Sequence, residues 1–358
     1  MIRLPGKFGE AVVLPRVRYA YSRLPFLDWR NKRYARSEAR RIQSAISANF
    51  DKFTIVIDCE IIGLTYGGIF YMLAVARYII SQGGFVRLCV VDTVFPLLLG
   101  GTDQDETEYF VSNIIDIAET LLDSKSSSVQ LISLETLPSV VDTPKNEFLL
   151  FEDFVRDRRP IHNDCFNVFN CLMADATSSV QAHSLFSSHD FQERFPRSFS
   201  LFPYVSWHCR YCLKGSNAAR QTMPDEFLQS YKYLRSRFPN HDILIVSDSL
   251  GCQHYSSLAD DLGIDDLLFS KDYSPDMIGD AALILSSDFF YWYRAGGIGT
   301  VPLLSRMPYE MVGPIKHETM WNRRKLTSWQ EDSQKFTILD SEKIVDDRSL
   351  DIDKIGAF

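Results

Sequence analysis

The chain has 358 residues, 46% of them hydrophobic and 23% charged, with seven cysteines and a formal net charge of −8. Those proportions exclude a disordered, collagen-like or disulfide-dense protein, and at ~100–200 residues per domain the length suggests two domains. The charge is uneven: of 38 Lys/Arg and 46 Asp/Glu, the first 50 residues hold 11 and 3, leaving 27 and 43, so a +8 arm precedes a −16 body.

The arm, residues 1–50, contains a helix-prone basic stretch over 31–46, preceded by Tyr19, Tyr21, Phe26 and Trp29. Charged helix faces are common, so the plainer reading is a solvated helix packed on the first domain. The other is peripheral contact of residues 1–41 with an anionic membrane, near a membrane-bound acceptor. No run reaches the ~20 apolar residues of a membrane span. No apolar h-region follows the basic start, so no secretory signal is expected, and the odd cysteine count reads as reduced thiols in a cytoplasmic protein. The acidic body argues against nucleic acid as a partner, because phosphate backbones need a broad basic face.

From Phe53 the pattern alternates. Phe53–Asp58 reads as a buried parallel strand, Ile69–Ile80 as a helix ended by Gly83-Gly84, and Phe85–Val91 as the next strand. A helix over Glu106–Leu122 and a strand over Val129–Leu134 continue the alternation, while 140–200 loses clear periodicity. It resumes with a strand at Tyr204–Arg210, a helix at Asp225–Arg237, a strand at Asp242–Ser247, a helix at Cys252–Leu262 and a strand at Asp266–Phe269. Pro275–Leu283 then leads to Ile284-Leu-Ser-Ser-Asp288, read as a strand closing at Asp288. A glycine turn, Gly296-Gly-Ile-Gly299, opens a short helix over Thr300–Ser305, and Phe336–Leu339 is a last strand. The expected fold class is α/β, with two Rossmann-like domains facing a cleft: an acceptor domain over 51–200, a nucleotide-sugar domain over 201–335, and a tail over 336–358.

In such sheets ligands bind beyond the carboxyl ends of the strands. In the first domain that rule selects Asp58 and Glu60, with the glycine pair Gly67-Gly68, which is as readily a tight turn. In the second it selects His208 and Arg210, with Lys214, Asn217 and Arg220 behind them, a local cationic cluster in an acidic body. An arginine at a strand end can clasp a diphosphate bidentately. The same rule selects Ser247 with Asp248 and Ser286 with Asp288, whose carboxylates would accept sugar or ribose hydroxyls or instead cap the following helix. Gly296, Gly297, Gly299 and Thr300 would offer backbone N–H groups to a phosphate. There is no dinucleotide fingerprint and no P-loop lysine.

His208-Cys-Arg210 after a strand, Ser247-Asp248 at the next strand end, and Ser286-Ser-Asp288 with the downstream glycine turn resemble the second domain of GT-B glycosyltransferases. The pattern is closest to the fucosyltransferase-like group with a His-x-Arg motif, and the unit around Ile57–Val91 resembles a GT-B acceptor domain. The resemblance spans roughly 53–135 and 202–310. After Arg210 the chain reads Tyr211-Cys-Leu-Lys, which departs from that group, so the resemblance implies the nucleotide-sugar class rather than one donor. It implies transfer of a hexosyl or deoxyhexosyl group from a nucleotide-diphosphate donor, a co-substrate rather than a cofactor, to a glycan or lipid-linked acceptor. Arg210 would bind the diphosphate in place of a metal, and Asp58 or Glu60 would take the acceptor proton if the reaction inverts. The rival readings are a non-catalytic binding or scaffold protein that keeps this fold, and a nucleotide-sugar epimerase.

Other signals carry less. Cys209-Arg-Tyr-Cys212 has no second pair to complete a zinc site and reads as packed thiols. Asp103-Gln-Asp105 and Asp351-Ile-Asp353 close no apolar strand and read as solvated loop charges. His162, His183 and His189 lie in the irregular segment, and the aromatic run Phe289–Tyr293 reads mainly as core.

Overall fold

The computed structural model describes residues 25–58, 66–92, 104–157, 168–169, 171–172, 186–199, 203–211, 221–293, 297–305, 307–314 and 334–339. The chain divides into two compact units, Met1–Gln181 and Ala182–Ala357.

The first unit is built on a four-stranded parallel sheet. Helix α1 (Pro25–Ser47) leads into β1 (Lys52–Ile57), α2 (Tyr66–Ser81), β2 (Phe85–Asp92), α3 (Gln104–Leu121) and β3 (Ser127–Ser133). A short α4 (Leu137–Val141), β4 (Glu147–Leu149) and α5 (Glu152–Asp157) follow. The strand order is β3-β2-β1-β4, every pairing parallel. Residues 53–57 are all buried, as a central parallel strand requires. The α2 helix ends at Gly83, whose φ of +87° is the left-handed turn that favours glycine. Gly67 and Gly68 lie inside the first turn of α2 rather than in a loop before it.

The α1 helix packs on this unit. Ala35, Glu38, Ala39, Ile42 and Ala45 recur at helical spacing and are buried, while Arg33, Arg36 and Arg40 are exposed. The Glu38 carboxylate accepts the Phe151 N–H at 2.9 Å, and the Arg41 guanidinium donates to Glu38 and, at 2.6 Å, to the Leu149 carbonyl. Phe151 has a φ of +58°, so Glu38 holds a strained turn just after β4.

The second unit carries a six-stranded sheet: β5 (Tyr204–His208), α6 (Pro224–Arg237), β6 (Asp242–Val246), α7 (Ser249–Asp261) and β7 (Leu267–Phe269), then α8 (Met277–Leu285), β8 (Phe289–Tyr293), α9 (Thr300–Leu303), β9 (Tyr309–Pro314) and β10 (Gln334–Leu339). All pairings are parallel in the order β10-β9-β8-β5-β6-β7. The chain winds outward from β5 to β7, then returns past β5 to β8 and winds the other way. That is the doubly wound order, and its topological switch point lies between β5 and β8. On one face Trp207 stacks on Phe227 (4.7 Å) and Phe227 on Tyr255 (5.3 Å). On the other, Tyr204 Oη donates to the Leu283 carbonyl of α8 at 2.6 Å.

One expected strand is a helix. Ile284 and Leu285 belong to α8, which is buried from Ile278 to Leu285, and Ser286 is its C-cap. A short, wholly apolar run has no readable period, and a helix apolar all round is a buried one. In consequence Ser286 and Asp288 precede β8 and sit at the amino end of the sheet. There the Asp288 N–H donates to the Tyr204 carbonyl, and Asp288 lies 3.3 Å from His241, which itself precedes β6. Neither residue is placed at a strand's carboxyl end, where the sequence reading had them. The aromatic run Phe289–Tyr293 is β8 itself.

Candidate functional site

The carboxyl edge of the second sheet gathers the chemistry. His208 ends β5, Arg210 follows two residues on, Ser247 and Asp248 follow β6, and Gly297, Gly299 and Thr300 follow β8. Glu60, Lys214, Asn217, Arg220 and Gly296 lie outside the described residues. In the first unit Asp58 occupies the corresponding position after β1 and is buried.

His208 is 8% exposed, and its Nδ1 lies 2.9 Å from the Val246 carbonyl across the β5–β6 pairing. A carbonyl can only accept, so Nδ1 carries the proton and the Nε2 lone pair is left as an acceptor. Burial, with some repulsion from Arg210, pushes the imidazole down to about 4, so the ring is neutral at pH 7.

The backbone of Arg210 is pinned. Its carbonyl accepts from the Thr222 N–H at 3.0 Å and the Tyr255 hydroxyl at 2.6 Å, and its N–H donates to Thr222 Oγ1 at 3.4 Å. These bonds close the base of the loop between β5 and α6. Tyr211 stacks on His254 with ring centres 4.1 Å apart, which anchors the loop's first residue.

Asp248 takes the capping role that the sequence left open: it is the N-cap of α7, and its Oδ1 accepts the Gly251 N–H at 2.6 Å. Ser247 lies beneath that turn, where a Cβ on residue 251 would fall 2.0 Å from its Oγ. The same arrangement recurs at α8, where Asp276 accepts from Gly279 at 2.7 Å over Ser274. The Asp-x-x-Gly spacing in both places was a readable signal.

The glycine turn after β8 is a 3-10 turn, Gly297–Gly299, leading into the four-residue α9. Gly299 has an ordinary helical φ of −64°; it is glycine because a Cβ there would come 2.3 Å from the Trp292 indole. Thr300 is fully buried, and among the described residues its Oγ1 has no hydrogen-bond partner.

The sequence reading missed one pair at this edge. Lys271, just after β7, donates to Asp280 at 2.6 Å, and both side chains are nearly buried. Burial outweighs the ion pair and pushes Asp280 up to about 6. The strand-end rule applied to β7 would have found Lys271. Cys209 is fully buried in the core with Trp207 and Tyr255, and burial raises its thiol well above the usual range. Among the described residues no three His, Cys, Asp or Glu side chains group as metal ligands.

No family model matches the sequence, and no curated protein does. Among solved structures, the heptosyltransferase WaaC of E. coli with ADP aligns over 85% of this chain and 98% of its own, with a TM-score of 0.50 at 7% identity. A glycosyl transferase family 9 protein from Veillonella parvula aligns over 85% and 88%, with a TM-score of 0.49 at 7% identity. ADP-heptose LPS heptosyltransferase II of E. coli aligns over 85% and 97%, with a TM-score of 0.47 at 9% identity. At such identity the likeness to WaaC is one of fold. The fold is α/β and GT-B-like, with two Rossmann-like units.

Proposed function

We propose that the chain is a metal-independent glycosyltransferase whose second unit holds a nucleotide-diphosphate sugar and whose acceptor is a glycan or lipid-linked glycan. The observation that carries this is the position of Arg210, on a pinned loop base beside the switch point of a doubly wound sheet. ADP, with which the similarly folded WaaC was solved, is the kind of product such a donor leaves. In the reaction the bond between the sugar's anomeric carbon and the diphosphate oxygen breaks, with its electron pair leaving on the diphosphate. A bond from the acceptor oxygen forms at that carbon. Arg210 neutralises the charge growing on the leaving group, aided by the N–H groups around Gly297–Thr300. If the reaction inverts, a carboxylate base takes the acceptor proton. Ser247 and the second oxygen of Asp248 remain for ribose or sugar hydroxyls. Turnover of ADP-, GDP- and UDP-hexoses tests the reading. Arg210→Ala should lower kcat/KM by about 10- to 100-fold, the worth of a charged hydrogen bond of about 1.5–3 kcal/mol, with Arg210→Lys between. Unchanged turnover in Arg210→Ala overturns it.

The exposed arginines of α1 support a second element: a peripheral seat on an anionic membrane that carries the acceptor. No helix among the described residues is long and apolar enough to cross a membrane. Reversing Arg36 and Arg40 to Glu should abolish co-sedimentation with phosphatidylglycerol vesicles at low salt; equal sedimentation refutes the seat.

A further inference from the structure

The diphosphate contact assigned to Arg210 leaves His208 without a task, yet His208 is the more unusual group. Its Nδ1–H is spent on the Val246 carbonyl at 2.9 Å, and its Nε2 is buried with no hydrogen-bond partner among the described residues. Buried acceptors without partners are rare in folded proteins, and each calls for an explanation. Trp207 Nε1, another such atom, belongs to a ring stacked in the core on the opposite face of β5. His208 instead sits at the carboxyl end of β5, paired in register with Trp292 of β8, against which Gly299 is closely packed. Thr300, next along, carries a second buried polar atom without a partner. These two atoms belong to the strand end of β5 and the turn after β8, which flank the switch point.

We propose that His208 reads an uncharged hydroxyl of the nucleotide sugar, its Nε2 accepting the O–H hydrogen while Arg210 takes the diphosphate. The assignment rests on the donor-site reading above. An Nε2 lone pair repels a phosphate oxygen and attracts a hydroxyl hydrogen. The ring would bind phosphate only as imidazolium, and burial with Arg210 nearby, the one charged group acting on it among the described residues, keeps it neutral at pH 7. His208 ends β5 and Arg210 lies two residues on, so the two belong to one strand-end segment. The hydroxyl belongs either to the ribose or to the transferred sugar.

The test is calorimetric titration of ADP, GDP and UDP, their 2′-deoxy forms and their glucose conjugates. It uses wild-type protein, His208→Asn, His208→Gln and Arg210→Ala. Asparagine keeps a donor at the δ position for Val246 and removes the ε acceptor; glutamine supplies an ε-position carbonyl. His208→Asn should weaken binding about tenfold, with partial rescue in His208→Gln. If the hydroxyl is on the ribose, the loss appears already with the bare diphosphate, and it vanishes with the 2′-deoxy form when the 2′-hydroxyl is the one read. If it is on the sugar, the loss appears with the glucose conjugate alone. Wild-type affinity in His208→Asn for every ligand that Arg210→Ala fails to bind overturns the role of His208 and leaves the donor site standing. No nucleotide binding by folded wild-type protein overturns both. Should the asparagine variant not fold, the ¹⁵N shift of Nε2 in wild-type protein decides: it should move on saturation with the binding nucleotide, and a fixed shift overturns the assignment.

Discussion

His208 and Val246 are joined across two neighbouring strands by a single bond, Nδ1–H to carbonyl at 2.9 Å, which sets the imidazole's tautomer. The ring is neutral and buried, and that has a thermodynamic cost in acid.

The folded-state pKa of His208, about 4, lies below the ordinary value of 6.5. The unfolded chain therefore takes up a proton first as pH falls. Stability from this group is fully present above pH 6.5 and lost as pH falls toward 4, about 3 kcal/mol in all. Asp280 acts the other way: raised to about 6, it gives stability that is full below pH 3.8 and lost as pH rises through 6. Urea unfolding at pH 7 and pH 4.5 should show His208→Asn losing less stability on acidification than wild type. Parallel losses would contradict the buried neutral ring.

Gly299 is held by packing. Alanine there drives a methyl group into the Trp292 indole, and Gly299→Ala should cost about 1–3 kcal/mol in thermal unfolding. A variant as stable as wild type would mean that the turn after β8 lies elsewhere.

Lys271 and Asp280 form a nearly buried ion pair. Asp280→Ala leaves the ammonium uncompensated and should cost roughly 3–5 kcal/mol, whereas the double variant Lys271→Met/Asp280→Leu should be no less stable than wild type. Chemical denaturation of the two variants checks both statements.

Glu38 fastens α1 to the end of β4. Glu38→Ala removes the acceptor of the Phe151 N–H and a partner of Arg41, and should cost about 2–3 kcal/mol. Hydrogen exchange should then quicken through α1 and at Phe151 while β1 stays protected. Unaltered exchange in α1 would show that its apolar stripe alone holds the helix.

The sequence made the sheets legible because buried parallel strands such as Phe53–Ile57 and Ile243–Val246 are apolar runs bounded by turn residues. His208 and Arg210 were legible through the strand-end rule, and Asp248 through its capping alternative. Asp288 lies at the opposite end of the sheet from that expected because Ile284 and Leu285 end α8, and so short an apolar run has no period to tell helix from strand. The Glu38–Phe151 bond joins residues 113 apart, which no local pattern encodes. The reason for Gly299 likewise lies in a Trp292 contact that exists only once β8 and its turn are folded.

On the proposed function, the second unit binds a nucleoside diphosphate at Arg210, and calorimetric titration of ADP, GDP and UDP into wild-type and Arg210→Ala protein measures that binding. Saturable binding of at least one of them, weakened 10-fold or more in the folded variant, is the expected result. Equal binding by the two proteins, or no binding by folded wild type, would contradict it.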